Sequence, residues 1–386
     1  MAEPVGVYLD ACATAPPATT VLEAMARAQD EAWANPSSLH GFGLAAAERL
    51  ERSRMAIARE LGCEPSAITF CSGGTEAAQS AILGVTAPLK PGRLVLSAVE
   101  HPAVVAAARR LQRQGWELAL LPVDRQGRVD LGALELLLEP PTRLVSVIWG
   151  QSEVGTLQPI EAIGRRCRAA GVLFHTDAVQ VVGHRPIDLA ALPVDLFSFT
   201  AHKLQGPRGI GALVASSELP FTPLLDGGGQ EGGRRGGTEA VALAAGFAAA
   251  LTLTGQRLAA HRGDPIQPHR DQLLEQLLAR PGIELTGSPT ERLPHHISLL
   301  VSSERGEPLS GRRLVEALWR EGFAVSSGTA CSRGQASASP VLLAMGVEPQ
   351  RAASALRISL GPWLTDQDLI GFTAALGRAQ RAVAAA

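Results

Sequence analysis

The 386-residue chain is short of cysteine: its five (Cys12, Cys63, Cys71, Cys167 and Cys331) are odd in number, scattered and never spaced as C-x-x-C. That argues against a disulfide framework and against a zinc site, so no metal-ligating residues are expected, and the expectation is a reducing, cytoplasmic setting. A charge imbalance is lacking too. Thirty-five Lys and Arg stand against 37 Asp and Glu, a net charge of −2. There is then no general electrostatic reason to bind nucleic acid or an anionic membrane. No apolar run approaches the ~20 residues of a bilayer span. The start, Met1-Ala2-Glu3-Pro4, lacks the basic-then-apolar layout of a secretory signal. The pattern G-x-x-x-x-G-K-[ST] is absent, which excludes a P-loop.

What is present is a globular balance, 46 % apolar and 19 % charged residues, in a chain long enough for two domains. Strand-like runs (67–71, 93–97, 116–121, 143–149, 172–176, 195–199 and 211–215) alternate with helix-like ones (76–83, 103–114 and 160–170). This alternation predicts an α/β sheet covered by helices on both faces. The alanine-rich run 240–252 reads as a buried helix. Beyond it the character changes: a polar segment, helices at 270–278 and 312–320, a strand at 295–301 and one final helix over 366–385 form an α+β module. The expected division is a large domain, 18–255, and a small one built from 1–17 plus 256–386.

Four sites carry candidate chemistry. Phe197-Ser198-Phe199-Thr200-Ala201-His202-Lys203 ends a buried strand in a lysine, a costly place unless something holds the amine. A covalent imine to an aldehyde cofactor is one such thing; an ordinary surface lysine is the plainer alternative. Cys71-Ser72-Gly73-Gly74-Thr75-Glu76 reads as a strand end, a tight loop and a helix start. Such a start suits an anion, or is simply a helix capped by Thr75. His175-Thr176-Asp177 puts a carboxylate where a strand gives out, the edge at which open α/β sheets bind ligands. Asp177 opposite Lys203 is the pairing a pyridoxal phosphate (PLP) site requires, with His101 placed to stack on the ring. Far downstream, Ser326-Ser327-Gly328-Thr329-Ala330-Cys331 presents one thiol among small residues, as an accessible reactive cysteine would be.

Together these motifs resemble the cysteine desulfurases (NifS/IscS-like) of the class V aminotransferase family, along nearly the whole chain. The matching residues, in order, are Tyr8-Leu9-Asp10, Asn35-Pro36-Ser37-Ser38-Leu39-His40, Ser72-Gly73-Gly74-Thr75-Glu76, Glu100-His101, Glu153-Val154-Gly155, Asp177 with Gln180, His202-Lys203, Gly227-Gly228-Gly229-Gln230-Glu231 with Arg235 and Thr238, Ser326-Ser327-Gly328 with Ala330-Cys331, and Arg357 with Ser359-Leu360-Gly361. The resemblance implies PLP fold type I, with a mostly parallel seven-stranded sheet in the large domain. It implies that Lys203 carries the cofactor, Asp177 pairs with the ring nitrogen, His101 stacks and moves protons, and Gln180 bonds the ring hydroxyl. Gly74, Thr75, Thr200 and His202 would hold the phosphate, joined by Thr238 from the other subunit of a homodimer. Asn35 and Arg357 would bind the substrate carboxylate. Cys331 would take sulfur from L-cysteine, leaving L-alanine, and pass it to an acceptor protein such as an iron–sulfur scaffold or a thiolation factor. The alternatives that stay open are a selenocysteine lyase or aminotransferase, and a weakly active PLP-bound sulfur-transfer scaffold.

One departure stands out. The family usually reads Asn-Asn-Glu where this chain has Gln151-Ser152-Glu153. Ser152 falls at the asparagine that contacts the cofactor's phenolic oxygen; serine is shorter and donates one hydrogen. The expectation is cofactor binding with reduced turnover.

Overall fold

The computed structural model describes residues 6–328 and 338–385, so Cys331 lies outside the described residues. A short strand, β1 (Val7–Tyr8), is followed by two helices, α1 (Thr19–Glu31) and α2 (Gly41–Leu61). The main sheet then forms from β2 (Ile68–Cys71), β3 (Arg93–Ser97), β4 (Glu117–Leu121), β5 (Thr142–Ile148), β6 (Leu173–Asp177), β7 (Leu196–Thr200) and β8 (Gly211–Ala215). Its helices are α3 (Gly74–Gln79), which continues as a wider π turn over Ser80–Gly84, α4 (Pro102–Gln112), α5 (Leu131–Leu137) and α6 (Ile160–Ala169). β7 and β8 are buried at every residue, the mark of strands covered on both faces.

The strand order is β2-β8-β7-β6-β5-β3-β4. β3 to β7 run parallel; β8 is antiparallel to both its neighbours, so β2 points the same way as β7. The sheet is therefore mostly parallel, as expected. The carboxyl ends of β2, β3, β5, β6 and β7 share one edge. Cys71, Gly211 and Thr200 fall in register across that edge, as do Ile148, Asp177 and Ser198.

Past the sheet comes α7 (Val241–His261), long and apolar because it packs between α1 and α2. The remaining chain gives α8 (Gln267–Leu278), β9 (Ile283–Leu285), β10 (His296–Val301), α9 (Gly311–Arg320), β11 (Phe323–Ala324), α10 (Pro340–Ala344), α11 (Pro349–Ala352), β12 (Ala355–Ser359), α12 (Asp366–Leu369) and α13 (Phe372–Ala384). β12, β10 and β9 form an antiparallel sheet, while β11 pairs with β1. Leu9 is buried in the same core as Leu299, Leu314, Leu356 and Phe372, separate from the cores flanking the large sheet. We propose to read the two sets of cores as two domains, 18–255 and 1–17 with 256–386, residue 255 lying inside α7. The expected single helix over 366–385 is two helices: Gly371 takes a left-handed φ of +86°, which ends one and starts the other.

Candidate active site

The loop after β2 is pressed tightly against its surroundings. A Cβ on Gly74 would stand 2.9 Å from Val179 Cγ2, and one on Gly211 would stand 2.6 Å from the carbonyl carbon of Gly73. Only glycine lets these backbones meet. On its other side the loop is open: a Cβ on Gly73 would have nothing within 4 Å. Ser72 and Thr75 are exposed there, at the positive end of α3. Glu76 closes the loop by accepting the Ser72 N–H at 2.7 Å and the Arg235 Nε–H at 3.0 Å. Glu231 is buried against Arg54 and accepts the Phe70 N–H at 2.8 Å. These two ion pairs bind the glycine-rich stretch 227–237 to the sheet edge.

Lys203 sits in a single helical turn, Ala201–Lys203, directly after β7. Its Nζ donates to the carbonyls of Cys12 at 2.5 Å and Ala13 at 2.7 Å. Burial, with Arg357 nearby, lowers its pKa to about 8. The amine is thus partly neutral near physiological pH, as an imine-forming lysine must be. His202 beside it is pushed down to about 4 by burial, then by Lys203 and Arg208, so it is neutral too. The Thr200 hydroxyl donates to the Ile210 carbonyl at 3.0 Å.

Asp177 is 4 % exposed. One oxygen accepts the Val179 N–H at 2.9 Å, and among the described residues it forms no ion pair. Burial raises its pKa, while His101 and Lys203 oppose the rise. A buried carboxylate with Lys203 near but no ion-pair partner among the described residues fits a protonated ring nitrogen. His101 caps α4, its Nδ1 accepting the Ala103 N–H at 3.1 Å, and its ring is exposed. Gln180 donates to the Cys12 carbonyl at 3.0 Å. An open glycine cradle, a low-pKa lysine and a buried acid on one sheet edge together suit a PLP group.

The sequence reading gave no role to Glu100, although it stands beside His101. Glu100 accepts from the Ser97 hydroxyl at 2.7 Å and the Ile148 N–H at 2.6 Å, and its Oε2 is buried without a partner. Burial first, and Asp177 after it, raise its pKa to about 8, so at neutral pH it is mostly a neutral acid behind Asp177.

The facing side is built around β12. Arg357, on β12, is 7 % exposed. It donates to Asp10 Oδ1 at 2.7 Å and to the Ser152 carbonyl at 3.1 Å, leaving Nε unpartnered. The Ser152 carbonyl also accepts from His296 Nε2 at 3.1 Å; among the described residues the Ser152 hydroxyl bonds nothing. Two described residues on either side of Cys331 in sequence, Ser326 and Ser339, meet this group. Ser326 exchanges backbone hydrogen bonds with Arg357, and Ser339 donates to Glu153 Oε2 at 2.5 Å. Among the described residues, Asn35 and Thr238 are not joined to this group by any hydrogen bond. Both line an open concavity with Trp33 and Leu243, and Asn35 turns its Oδ1 to the Ser37 N–H.

Comparison with known proteins gives a consistent result. The aminotransferase class-V family model matches residues 7–372. A cysteine desulfurase of Cereibacter sphaeroides is 41 % identical over 370 residues, covering 94 % of this chain and 92 % of that protein. The cysteine desulfurase NifS of Azotobacter vinelandii is 38 % identical over 367 residues, covering 94 % and 90 %. The solved structure of a NifS-like protein superposes with a TM-score of 0.89 at 32 % identity, covering 99 % of this chain and 100 % of that one.

Proposed function

Because this chain belongs to the class-V aminotransferase family and is a cysteine desulfurase, we propose that Lys203 holds PLP and that Cys331 receives the sulfur of L-cysteine. The observation that carries the reading is Lys203 itself, held at the sheet edge by two carbonyls with a lowered pKa, one strand away from Asp177. Gly74, Thr75, Thr200 and His202 would hold the phosphate, Asp177 the ring nitrogen, and Gln180 and Ser152 the ring-oxygen side. When bound, PLP supplies the electron sink that lets an amino acid's Cα–H bond break.

The chain's own groups do the rest. The Arg357 guanidinium takes the substrate carboxylate, exchanging it against Asp10. Lys203 Nζ, neutral above pH about 8, receives the Cα proton. His101, exposed at the rim, carries protons between the site and water. Glu100, neutral, leaves Asp177 as the one anion behind the ring. Cys331 thiolate attacks the substrate sulfur: an S–S bond forms and the substrate C–S bond breaks. The bonding pair stays with Cβ, which gains a proton; Lys203 Nζ returns a proton to Cα to complete L-alanine, and Cys331 keeps the sulfur as a persulfide.

Thr238 and Asn35 beside exposed Trp33, Leu22 and Phe42 support a homodimer in which Thr238 reaches the partner's phosphate site. The persulfide would pass to an acceptor protein, an iron–sulfur scaffold or a thiolation factor, in the cytoplasm. The decisive experiment is peptide mass spectrometry after incubation with L-cysteine. The expected result is added sulfur on the Cys331 peptide and none in Cys331→Ala, which keeps PLP absorbance. Alanine formed at the parental rate by Cys331→Ala would overturn the persulfide step.

A further inference from the structure

Four distant segments meet in a buried seam below Cys12. His184 lies in the turn after β6, Asp264 between α7 and α8, and His295 directly before β10; they are 7, 8 and 1 % exposed. His184 Nδ1 is 2.6 Å from Asp264 Oδ2. The His184 and His295 rings stack with centroids 3.6 Å apart at 13°. His295 Nε2 is 3.3 Å from Cys12 Sγ.

A proton shared by His184 and Asp264 accounts for that pair as ordinary core structure. It does not account for His295 Nδ1, which is buried with no hydrogen-bond partner. Native interiors seldom leave such an atom unanswered. In the tautomer whose Nε2–H is directed at Cys12 Sγ, Nδ1 carries a bare lone pair. A neutral imidazole whose far nitrogen is fixed by a neighbour is the usual state of a metal-ligating histidine. One ligand atom from each of His184, Asp264 and His295 lies within 4.8 Å of the other two. Small shifts bring three such atoms to the ~2.0–2.2 Å bond lengths of a zinc site.

We propose that His184, Asp264 and His295 bind one divalent transition ion, with Zn²⁺ as the reference, and that Cys12 orients His295 behind it. The ion takes the place of the proton between His184 and Asp264, which leaves to solvent, and the stacked rings fan apart so that both lone pairs converge. Asp264 is held for this by the Ile266 N–H at 3.1 Å. Arg257 also faces Asp264, so the site has little net negative charge. That favours an imidazole-binding ion over Mg²⁺ or Ca²⁺, which need several oxygen ligands. The ion would clip the turn after β6 to the strand system of β10. It would thereby steady Cys12, whose carbonyl accepts from Lys203 and Gln180. The proposal does not depend on the desulfurase chemistry, since ion binding is read without turnover.

The test uses full-length PLP-loaded protein in a Cys331→Ser background, so that the Cys331 thiol cannot take zinc. The protein is stripped with chelator and titrated with ZnCl₂, with bound metal measured after dialysis. One zinc per chain is expected, with a rise in thermal midpoint. Affinity should fall at least about tenfold in His295→Asn and in Asp264→Asn. Co²⁺ should give visible ligand-field bands in the parent alone. If a variant fails to fold, the zinc X-ray absorption spectrum of the parent decides. A first shell of nitrogen and oxygen supports the site; a sulfur-dominated shell overturns it. So does a parent that retains no zinc, or folded variants that retain it unchanged.

Discussion

On the sheet side of the site, Asp177 has no ion-pair partner among the described residues, Lys203 is met only by two carbonyls, and the Ser72–Thr75 loop stands open. On the facing side, Arg357 is already met by Asp10 and the Ser152 carbonyl, and Ser339 by Glu153. The first arrangement is costly alone and is offset by a ligand that stays, as a cofactor does. The second is stable alone and must be exchanged each time a carboxylate substrate enters. The two sides should therefore respond differently to mutation: the sheet side in cofactor retention, the facing side in substrate use.

The largest effect falls on the sheet side. Lys203→Ala should abolish the visible absorbance of bound PLP and lower kcat by ~10³-fold or more, the scale for removing an activated nucleophile. A variant that keeps both would remove Lys203 from the chemistry. Next comes Arg357→Ala. Loss of a buried, hydrogen-bonded charge partner costs about 2–5 kcal/mol, so kcat/KM for L-cysteine should fall about 30- to 5,000-fold with PLP absorbance retained. Arg357→Lys should recover only part, because an ammonium lacks the planar fork. Loss of PLP in either variant would break the division between the two sides.

The third effect is one of pH. With Lys203 lowered to about 8 from 10.5, the neutral amine accumulates as pH rises through 8. Stopped-flow loading of apoenzyme with PLP should speed about tenfold per pH unit below 8 and level off above it. A rate still climbing tenfold per unit at pH 10 would mean that burial does not hold the amine down.

The two sides also differ in how far the sequence discloses them. β6 and β7 are buried on both faces, so they read as apolar runs, and Asp177 and Lys203 are conspicuous because each interrupts one. The Ser72–Thr75 loop is legible because small residues between a strand and a helix have few other uses. The facing side is built from residues far apart in the chain: Arg357 meets Asp10 across 347 positions, and Ser339 meets Glu153 across 186. Nothing local marks such pairs. α1 and α2 escaped the reading for another reason. Their apolar positions are interspersed with charge, and Arg54 in α2 is buried by its pairing with Glu231 rather than exposed. The break at Gly371 is hidden because the residues on either side are ordinary helix formers.

The smallest effect tests where the sides touch. Ser152 supplies its carbonyl to Arg357 and His296, and its hydroxyl bonds nothing among the described residues. Ser152→Asn leaves those backbone bonds in place and adds an amide that can donate toward the ring-oxygen side. A new hydrogen bond is worth about 0.5–1.5 kcal/mol, so kcat/KM should rise roughly two- to tenfold while the thermal midpoint stays put. A rise in PLP affinity with it would assign the amide to the sheet side. A change in KM alone would assign it to Arg357. An unchanged enzyme would mean that the serine backbone already does all that this position contributes, and that the reduced turnover expected from the sequence is absent.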